Sequence, residues 1–438
     1  MAEQEHKKSG RFMGWYFGSN LLMRIMIGLL LGALVGLFLA FNPSAAAPYV
    51  AYTKFFGDVF IRLLRMIVVP VIFFSLITGA SSLTPHQLGR VGLKTLVYYL
   101  ATTAIAVLVA LILADVFNPG SGLNLAGDAA VQGKSAAQTP LAKVLLNIIP
   151  MNPMESLAKG EVLPIIFFAL VFGIALSVLR DSDNADVAKH ADTLFHFCST
   201  IAGVMYKVVA GIMQYAPVGV FVLISVVFAQ QGAKVIGPLV FVTLLCYIGF
   251  AVHVLLVYGG ILRVFGLSFI KFLRGAHEAS ITAFVTRSSN AALPISMRVS
   301  EENLGVSRSI TSFALPVGAT VNMDGTSIYL AVCACFIANV VGTPLNFEQQ
   351  STLVIVATLA SIGTAGVPGA GAIMMLMVLE AVGLPVTSGS PVAAAYAMIL
   401  GIDALLDMGR TCLNVTGDIA GVVVIGKSEQ QIDMSKWT

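Results

Sequence analysis

Five polar residues recur at helical spacing inside an apolar run near the end of the sequence. Asp403, Asp407, Arg410, Asn414 and Asp418 are separated by 4, 3, 4 and 4 residues, and most residues between them are apolar. At about 100° per residue, these side chains fall within roughly 80° of one another on a helix. An isolated carboxylate in a membrane costs at least about 2.5 to 3.5 kcal/mol. The face therefore predicts an ion or substrate site, and pairing with Arg410 is the alternative role for each aspartate.

Composition indicates that this helix lies in a membrane. The 438 residues are 57% hydrophobic and 11% charged, with a mean hydropathy of +0.90, and the charged fraction is about half that of soluble proteins. A span needs about 20 apolar residues. Uncharged runs of that order occur at residues 25–53, 66–89, 95–114, 162–179, 208–233 and 235–262. The sequence predicts an all-α integral membrane protein that contacts the lipid bilayer throughout.

The distribution of basic residues predicts the orientation of the chain. Lys7, Lys8, Arg11 and Arg24 precede or open the first span, whereas the connection at residues 42–53 carries no charge. Because cytoplasmic loops are enriched in Lys and Arg, we predict a cytoplasmic N-terminus, an uncleaved first span and a multi-pass protein of the cell membrane. A net charge of +3 without a basic stripe indicates no nucleic-acid partner.

The five cysteines lie in apolar stretches without a C-x-x-C pair. They therefore indicate neither a disulfide framework nor a zinc site. Residues 421–428 formally match a P-loop, but the match closes an apolar helix and does not follow a strand, so we reject it.

Two apolar segments beyond Arg263 are interrupted at their middles. Residues 286–290, Thr-Arg-Ser-Ser-Asn, split the first, and the glycine-rich residues 361–371 split the uncharged run 349–379. Each half is too short to cross a bilayer. Irregular backbone at membrane depth must be buried or line a cavity, and paired broken segments point to a transporter's binding site. We predict two re-entrant hairpins, and kinked core helices are the alternative.

Charge balance extends the site beyond the last apolar run. Asp324 lies in the polar interruption 322–326, and Arg287 lies at the first hairpin tip. Together with the three aspartates above, four carboxylates face only the two guanidinium groups of Arg287 and Arg410. If a substrate of net charge about −1 also binds, roughly three monovalent cations restore neutrality. Carboxylate, amide, hydroxyl and carbonyl oxygens suit a hard cation, so sodium is predicted.

Arg410 has the geometry to hold a substrate carboxylate, because its planar fork matches two oxygens. Asp407, one turn away, could take an amino group. An intramembrane aspartyl protease would need two carboxylates that share a proton, and Arg410 beside them argues against that possibility.

Four motifs together resemble the dicarboxylate/amino acid:cation symporter family, the glutamate transporter homologues, and within it the prokaryotic sodium-coupled aspartate and glutamate transporters. They are residues 286–289, 322–326, 361–371 and 403–418, and the resemblance runs from about Leu21 to Ser428. It implies eight transmembrane helices and two re-entrant hairpins, arranged in inverted repeats. The hairpins would lie at about residues 268–303 and 348–386. It also implies a homotrimer in which transport parts, at about 90–116 and 233–427, move against scaffold parts, at about 20–84 and 140–225.

The resemblance implies the residues of the site as well. Arg410 would hold the side-chain carboxylate of an acidic amino acid, Asp407 its amino group, and the second hairpin would close over it. The other implied substrate contacts are Arg287, Ser288, Ser289, Met323, Thr326, Val367, Gly371, Thr411 and Asn414. Three sodium sites are implied, at Gly318, Asn322, Asn414 and Asp418; at Thr320, Met323, Ser361, Ile362 and Thr364; and at Tyr99, Thr102, Thr103, Asn322 and Asp324.

Comparison within the family narrows the expected substrate. Dicarboxylate carriers have serine- and asparagine-like residues at the positions of Asp407 and Asp418, and neutral amino acid carriers lack the arginine at Arg410. We therefore expect sodium-coupled symport of L-aspartate or L-glutamate by an elevator-type mechanism, with no enzyme activity. A proton-coupled glutamate/aspartate or C4-dicarboxylate symporter is the alternative, followed by an anion channel or an intramembrane enzyme. One methylene is worth only about 1 to 3 kcal/mol in a pocket, so the sequence favours neither amino acid.

Overall fold

The chain folds almost entirely into helices. The computed structural model describes residues 20–81, 90–125, 146, 148–362, 366–387 and 389–437. Within those ranges, pairing of the strand type is limited to an isolated antiparallel bridge between Val306 and Ile432. The predicted all-α class is therefore confirmed.

The first two helices follow each other almost directly. Helix α1 spans Leu21–Ala40 and α2 spans Pro43–Ser81. Asn20 caps α1, since its side-chain oxygen accepts a hydrogen bond from the backbone N–H of Leu22 at 2.9 Å. Pro43 begins α2, a position where proline's fixed φ and missing N–H suit a helix. The predicted connection at residues 42–53 was therefore wrong beyond residue 42, because its proline starts a helix and its alanines extend it.

Helix α1 packs closely against α6, which spans Ala185–Gln231. Gly28, Gly32 and Gly36 recur every four residues along α1. A methyl group added to any of them would lie 2.5 Å from a backbone carbonyl oxygen of α6. Small residues at this spacing let membrane helices approach each other closely. The glycine face thus fixes α1 on α6.

Between α2 and α6, the described residues include three more helices. Helix α3 spans Arg90–Phe117, the short α4 spans Pro153–Lys159, and α5 spans Val162–Arg180. Both α5 and α6 pack against α2. Helices α1, α2, α5 and α6 therefore support one another as a group.

The helical run after α6 contains a change of pitch. A 3₁₀ turn at Gly232–Val235 leads into α7, Ile236–Val252; a π-helical turn at His253–Tyr258 then leads into α8, Gly259–Val264. The rings of His253 and Tyr258 lie edge to face with centroids 4.8 Å apart. The uncharged run 235–262 is therefore one helical stretch with a wide turn inside it.

Two pairs of short helices follow at the interrupted segments. Helices α9, Phe269–Thr286, and α10, Ser289–Glu302, pack together, as do α13, Phe347–Ser361, and α14, Ala370–Ala381. Arg287 turns the chain between the first two helices with a left-handed φ of 55°. Both helix pairs are thus interrupted at the positions that the sequence predicts.

The central helices are α11, Arg308–Val321, α12, Asp324–Val340, and α15, Pro391–Ser428. The most apolar stretch within residues 308–340 is entirely buried, and 78% of that in α15 is buried, compared with 28% in α1. The charged face of α15 therefore lies in the protein interior, whereas α1 lies at the periphery.

The outer surface of the helices is apolar. Leu30, Leu34 and Phe38 of α1 are 59%, 63% and 67% exposed. In the part of the chain that the structure describes, seven helical stretches are long and apolar enough to cross a membrane. A surface of this kind is stable against lipid tails. The chain is a multi-pass membrane protein, as predicted.

Ion pairs join the end of α15 to the start of α3. Glu429 pairs with Arg90 at 2.8 Å and with Lys94 at 2.5 Å. Hydrogen bonds from Arg90 and then Lys94 lower the pKa of Glu429 from 4.5 to about 2. A carboxyl group whose pKa is lower in the folded state contributes stability at high pH. That contribution is present above about pH 4.5 and is lost as the pH falls through about 2.

We therefore expect the thermal unfolding temperature of the wild type to fall more between about pH 5 and 3 than that of Glu429→Gln. The difference should be modest, because Arg90 is 75% exposed and solvent screens the pair. Thermal unfolding of detergent-purified protein measures it. Parallel pH profiles for the two proteins would contradict a stabilising role for these ion pairs.

Candidate functional site

The polar stripe of α15 is buried along its length. Asp403, Asp407, Arg410, Asn414 and Asp418 are only 2–5% exposed. They face the interior of a helix bundle in which α9, α10, α11 and α12 pack around α15. The spacing argument therefore correctly placed the five on one interior face.

Arg410 is shared between two carboxylates. Its Nη1 donates to Asp403 Oδ1 at 2.9 Å, and its Nε donates to Asp407 Oδ1 at 3.0 Å. The guanidinium carbon lies 4.4 Å from the centre of the Tyr329 ring, a cation–π contact. The second role that the sequence left open, pairing of the aspartates with Arg410, thus holds for Asp403 and Asp407 in this conformation.

A small cavity, the Arg410 cavity, opens beside this guanidinium group. Its volume is about 10 Å³, which is room for about one water molecule. The residues that line it are Arg287, Ser289, Met323, Thr326, Gly366, Val367, Ala370, Gly371, Asp407, Arg410, Thr411 and Asn414. The structure therefore brings ten of the eleven predicted substrate residues to one place.

Ser288, the eleventh, lies at the junction of the two helix pairs. Its hydroxyl donates to the Gly366 carbonyl at 2.7 Å and also caps α10 by accepting from the Ala291 N–H at 3.2 Å. The backbone N–H of Asn290 reaches the same Gly366 carbonyl at 3.4 Å. The first tip is thus hydrogen-bonded to the second, a contact that the sequence did not predict.

Asp407 has partners on both of its oxygens. Oδ1 accepts from Arg410 and, at 3.4 Å, from the Thr411 hydroxyl. Oδ2 accepts from the Gly369 N–H at 3.3 Å and lies 3.9 Å from Arg287 Nη1. Asp407 thus lies close to one residue of each tip and to Arg410. Movement of any of these three groups would change its contacts.

Gly371 lies directly against the guanidinium group of Arg410. A methyl group at Gly371 would overlap the guanidinium carbon and lie 2.5 Å from Nη1. We expect Gly371→Ala to displace Arg410 and reduce substrate uptake by about tenfold or more, because small displacements of binding groups weaken productive geometry. Gly203→Ala is the matched control, since a methyl group there meets no atom within 4 Å. Uptake by the two variants in liposomes tests this, and equal uptake would contradict it.

Asn414 connects the cavity to the next group of polar residues. Its Oδ1 accepts from the Gly325 N–H at 2.7 Å, and its Nδ2 donates to Thr326 Oγ1 at 3.2 Å and to the Met323 sulfur at 3.1 Å. Its backbone carbonyl accepts from Asn322 at 3.2 Å. One residue thus touches predicted substrate and predicted ion ligands.

The first predicted sodium set is gathered around Asp418. Asn322 Nδ2 donates to Asp418 Oδ1 at 2.9 Å. A methyl group on Gly318 would lie 2.7 Å from the same oxygen and 2.8 Å from the Tyr99 hydroxyl. Gly318, Asn322, Asn414 and Asp418 therefore lie together.

The set around Asp324 is equally compact. Asp324 Oδ1 accepts from the Thr103 hydroxyl at 2.7 Å and lies 3.4 Å from the Thr102 hydroxyl, which is also 3.4 Å from Asn322 Oδ1. Tyr99 is nearby on α3 but donates to the Ala314 carbonyl at 3.1 Å. Four of the five predicted residues thus lie together: Thr102 and Thr103 of α3, Asn322 at the end of α11, and Asp324 at the start of α12.

The structure describes the remaining predicted sodium set only in part. Thr320 donates to the Val317 carbonyl at 3.1 Å, and the Ile362 N–H donates to the Leu359 carbonyl at 3.2 Å. Met323 meets Asn414, as above. Thr364 and the side chain of Ser361 lie outside the described residues. This set stays a prediction.

Two buried residues at Asp324 were missed by the sequence prediction. Tyr258 donates to Asp324 Oδ2 at 2.7 Å, and His253 Nε2 lies 3.2 Å from the same oxygen. A histidine inside a membrane span was the available signal, since ionisable residues there are functional candidates. Helical spacing does not predict the pair, because on a regular helix the side chains of residues five apart point about 140° away from each other.

The chemistry of the ligands suits an alkali cation. Among the described residues, no three His, Cys, Asp or Glu side chains gather as a transition-metal site would require. The groups that do gather are carboxylates, amides, hydroxyls and main-chain carbonyls, which are hard oxygen ligands.

Comparison with known proteins identifies the family. The model of the sodium:dicarboxylate symporter family matches residues 21–428. The chain is 36% identical over 430 residues to the proton/glutamate-aspartate symporter of Escherichia coli (strain K12), covering 95% of this chain and 94% of the relative. It is 34% identical over 425 residues to the proton/sodium-glutamate symport protein of Geobacillus stearothermophilus, covering 95% and 96%.

A third relative is the C4-dicarboxylate transport protein of Rhodospirillum rubrum, 33% identical over 429 residues and covering 96% of this chain and 91% of the relative. The match begins in α1, ends in α15 and includes every element of the site. The predicted resemblance is confirmed: the chain belongs to the sodium:dicarboxylate symporter family, and it is a transporter and not an enzyme.

Proposed function

We propose that the protein couples the uptake of an acidic amino acid, L-aspartate or L-glutamate, to a gradient of sodium ions. The single observation that carries this proposal is the pairing of Arg410 with Asp407 at the Arg410 cavity, beside both helix-pair tips. An acidic amino acid presents both charges that this pair would bind, a carboxylate and an ammonium group. A C4-dicarboxylate lacks the ammonium group and would bring no positive charge to Asp407.

Substrate binding requires Arg410 to exchange partners. The Arg410 cavity of about 10 Å³ is far smaller than ligand sites, which occupy about 300–1,000 Å³. We propose that the second tip, which carries Val367 and Gly371, moves away to admit substrate. The substrate carboxylate then takes the place of Asp407 or Asp403 on the guanidinium fork. The second tip then returns to its closed position over the bound substrate and cations, whose charges balance those of the site.

Charge balance supports coupling to cations. The buried aspartates Asp324, Asp403, Asp407 and Asp418 outnumber the guanidinium groups of Arg287 and Arg410 by two. A bound substrate of net charge about −1 raises the deficit to about three, which three sodium ions would offset. In this proposal Asn414 carries the coupling, because its contacts reach the ligands of both substrate and cation.

The same proposal includes the architecture of the family. Helices α9/α10 and α13/α14 would enter and leave the membrane on one side as re-entrant hairpins within an eight-helix fold. The groups at about 20–84 and 140–225 would form a fixed scaffold in a homotrimer, with the N-terminus in the cytoplasm. The mutual packing of α1, α2, α5 and α6 favours this division. Transport would then move α3 and α7 to α15 across the scaffold.

Uptake of radiolabelled L-aspartate into liposomes tests the function and the coupling ion together. The purified protein is given an inward gradient of sodium, of potassium or of protons, each with a matched membrane potential. We expect concentrative uptake with sodium alone. The name of the Escherichia coli relative makes proton coupling the second candidate, and equal uptake with protons in the absence of sodium would support it and refute ours.

Two additional measurements distinguish a C4-dicarboxylate carrier and an anion channel from an amino acid symporter. Excess unlabelled succinate would inhibit a C4-dicarboxylate carrier as strongly as aspartate does. An anion channel would dissipate an aspartate gradient and would not build one. We expect accumulation against the gradient and weak inhibition by succinate.

A further inference from the structure

The carboxylate of Asp324 is held by two different parts of the fold. The threonines of α3 approach Oδ1, whereas His253 and Tyr258, from the π-helical turn, approach Oδ2. Asp324, His253 and Tyr258 are 0% exposed. Each oxygen therefore has its own set of partners.

The π-helical turn brings the two Oδ2 partners together. In a regular α-helix, residues five apart point about 140° away from each other. The i to i+5 pitch of the turn brings His253 and Tyr258 onto the same face, with their rings at 86° and centroids 4.8 Å apart. Single π turns of this kind occur often at functional sites. Here the turn aims two polar groups at one oxygen atom.

The hydrogen-bond network assigns the proton of the imidazole ring. His253 Nδ1 is buried and has no hydrogen-bond partner among the residues that the structure describes. A proton placed there would be a buried donor without an acceptor, which is unfavourable. A proton on Nε2 instead donates to Asp324 Oδ2 at 3.2 Å. With the Tyr258 hydroxyl at 2.7 Å, Oδ2 then accepts two hydrogen bonds, which fills its two lone pairs.

Oδ1 is in a different situation. Its partners, Thr102 and Thr103, are hydroxyl groups, and a hydroxyl can rotate its hydrogen away and offer a lone pair. Asn322 Oδ1 lies 3.4 Å from the Thr102 hydroxyl and adds a further acceptor oxygen. A cation on this side would meet oxygen ligands only. On the other side it would meet an N–H and an O–H that already donate to Oδ2.

We infer that His253 and Tyr258 are positioning residues that orient Asp324 so that only Oδ1 is presented to a coupled cation, which sets the affinity and size selectivity of that cation site. The inference rests on the sodium-coupled function proposed above. It assigns the two residues no contact with substrate. Substitution of either residue should therefore change the response to cations more than it changes the affinity for the amino acid.

Sodium-dependent thermal stability of the full-length protein in lipid nanodiscs, without substrate, gives a readout separate from transport. Unfolding temperatures are measured against sodium and against lithium, with choline chloride holding ionic strength constant, because a bound ion stabilises the folded state by mass action. Tyr258→Phe removes one hydroxyl and keeps the ring, and His253→Leu removes the N–H donor. We expect each to raise the half-saturating sodium concentration about tenfold or more and to change the sodium-to-lithium ratio.

Two further variants provide matched comparisons. His253→Gln keeps an N–H donor and should stay within about threefold of the wild type. Tyr247→Phe removes a hydroxyl from the same helical stretch that donates at 2.7 Å to the Leu405 carbonyl, away from Asp324. Tyr247→Phe should leave the half-saturating sodium concentration unchanged.

The outcomes separate this inference from the proposed function. A wild-type sodium response that is unchanged in Tyr258→Phe and His253→Leu, with only the unfolding temperature lowered, would mean a purely structural role and overturn the inference alone. A wild type that sodium does not stabilise would overturn the sodium-coupled function and the inference with it. Altered cation response with unaltered aspartate affinity at saturating sodium would support the inference.

Discussion

Replacing Arg410 with lysine is expected to weaken L-aspartate binding roughly 10- to 150-fold, and Arg410→Cys is expected to abolish uptake. Lysine keeps the positive charge beside Asp403 and Asp407 but loses the planar fork that binds two carboxylate oxygens. Hydrogen bonds to charged groups contribute about 1.5 to 3 kcal/mol each, which corresponds to the range given. Cysteine removes the charge as well. Calorimetric titration of L-aspartate at saturating sodium, together with uptake in liposomes, measures both effects.

Arg24→Lys is the matched control for a buried arginine. Arg24 is 6% exposed in α1, and its Nη2 donates to Gln214 at 2.9 Å, outside the Arg410 cavity. We expect it to bind L-aspartate normally. Size-exclusion profiles and unfolding temperatures establish that Arg410→Lys is folded. Wild-type affinity for L-aspartate in folded Arg410→Lys would contradict the proposed contact with the substrate carboxylate.

Asp407→Asn is expected to separate amino acids from dicarboxylates. The asparagine is nearly the same size, but it removes the negative charge that would pair with the substrate ammonium group. We expect L-aspartate affinity to fall about 100-fold, since loss of one member of a buried charge pair costs about 2 to 5 kcal/mol. Succinate, which has no ammonium group, should lose much less. Competition of both ligands against radiolabelled L-aspartate in the variant gives the ratio of the two effects.

Asp403→Asn makes this comparison specific. Asp403 is the other carboxylate on Arg410, at 2.9 Å, but it does not line the Arg410 cavity. If Asp407 acts only by holding Arg410, the two variants should lose L-aspartate and succinate affinity alike. We expect instead that Asp403→Asn affects both ligands equally, because Asp403 acts on either ligand only through Arg410. Equal losses in the two variants would refute the role of Asp407 as the ammonium site.

The sequence predicted the features that depend on local pattern. The spacing from Asp403 to Asp418 predicts their common face, because a helix has a constant turn per residue. The breaks at residues 286–290 and 361–371 were likewise visible, since clusters of serine and glycine interrupt helices wherever they occur. Both features were found in the structure at the expected positions.

Errors arose where composition was ambiguous or pitch was irregular. Residues 42–53 lack charge and follow a phenylalanine, so the sequence predicts a connection, yet Pro43 begins a helix there. His253 and Tyr258 lie inside the uncharged run 235–262, where helical spacing does not predict that they share a face. Periodicity assumes one helical pitch, and a single π turn changes which residues share a face.

By itself, the sequence determined that this protein is embedded in a membrane, that its last helix carries a charged face, and that two interrupted apolar segments precede that helix. These follow from composition and short-range spacing. Tertiary structure alone decided that Arg410 is divided between Asp403 and Asp407, that Asn414 joins the Arg410 cavity to the predicted ion ligands, and that His253 and Tyr258 hold one oxygen of Asp324. Those contacts join elements far apart in the chain, and only the packing of the helices brings them within hydrogen-bond distance.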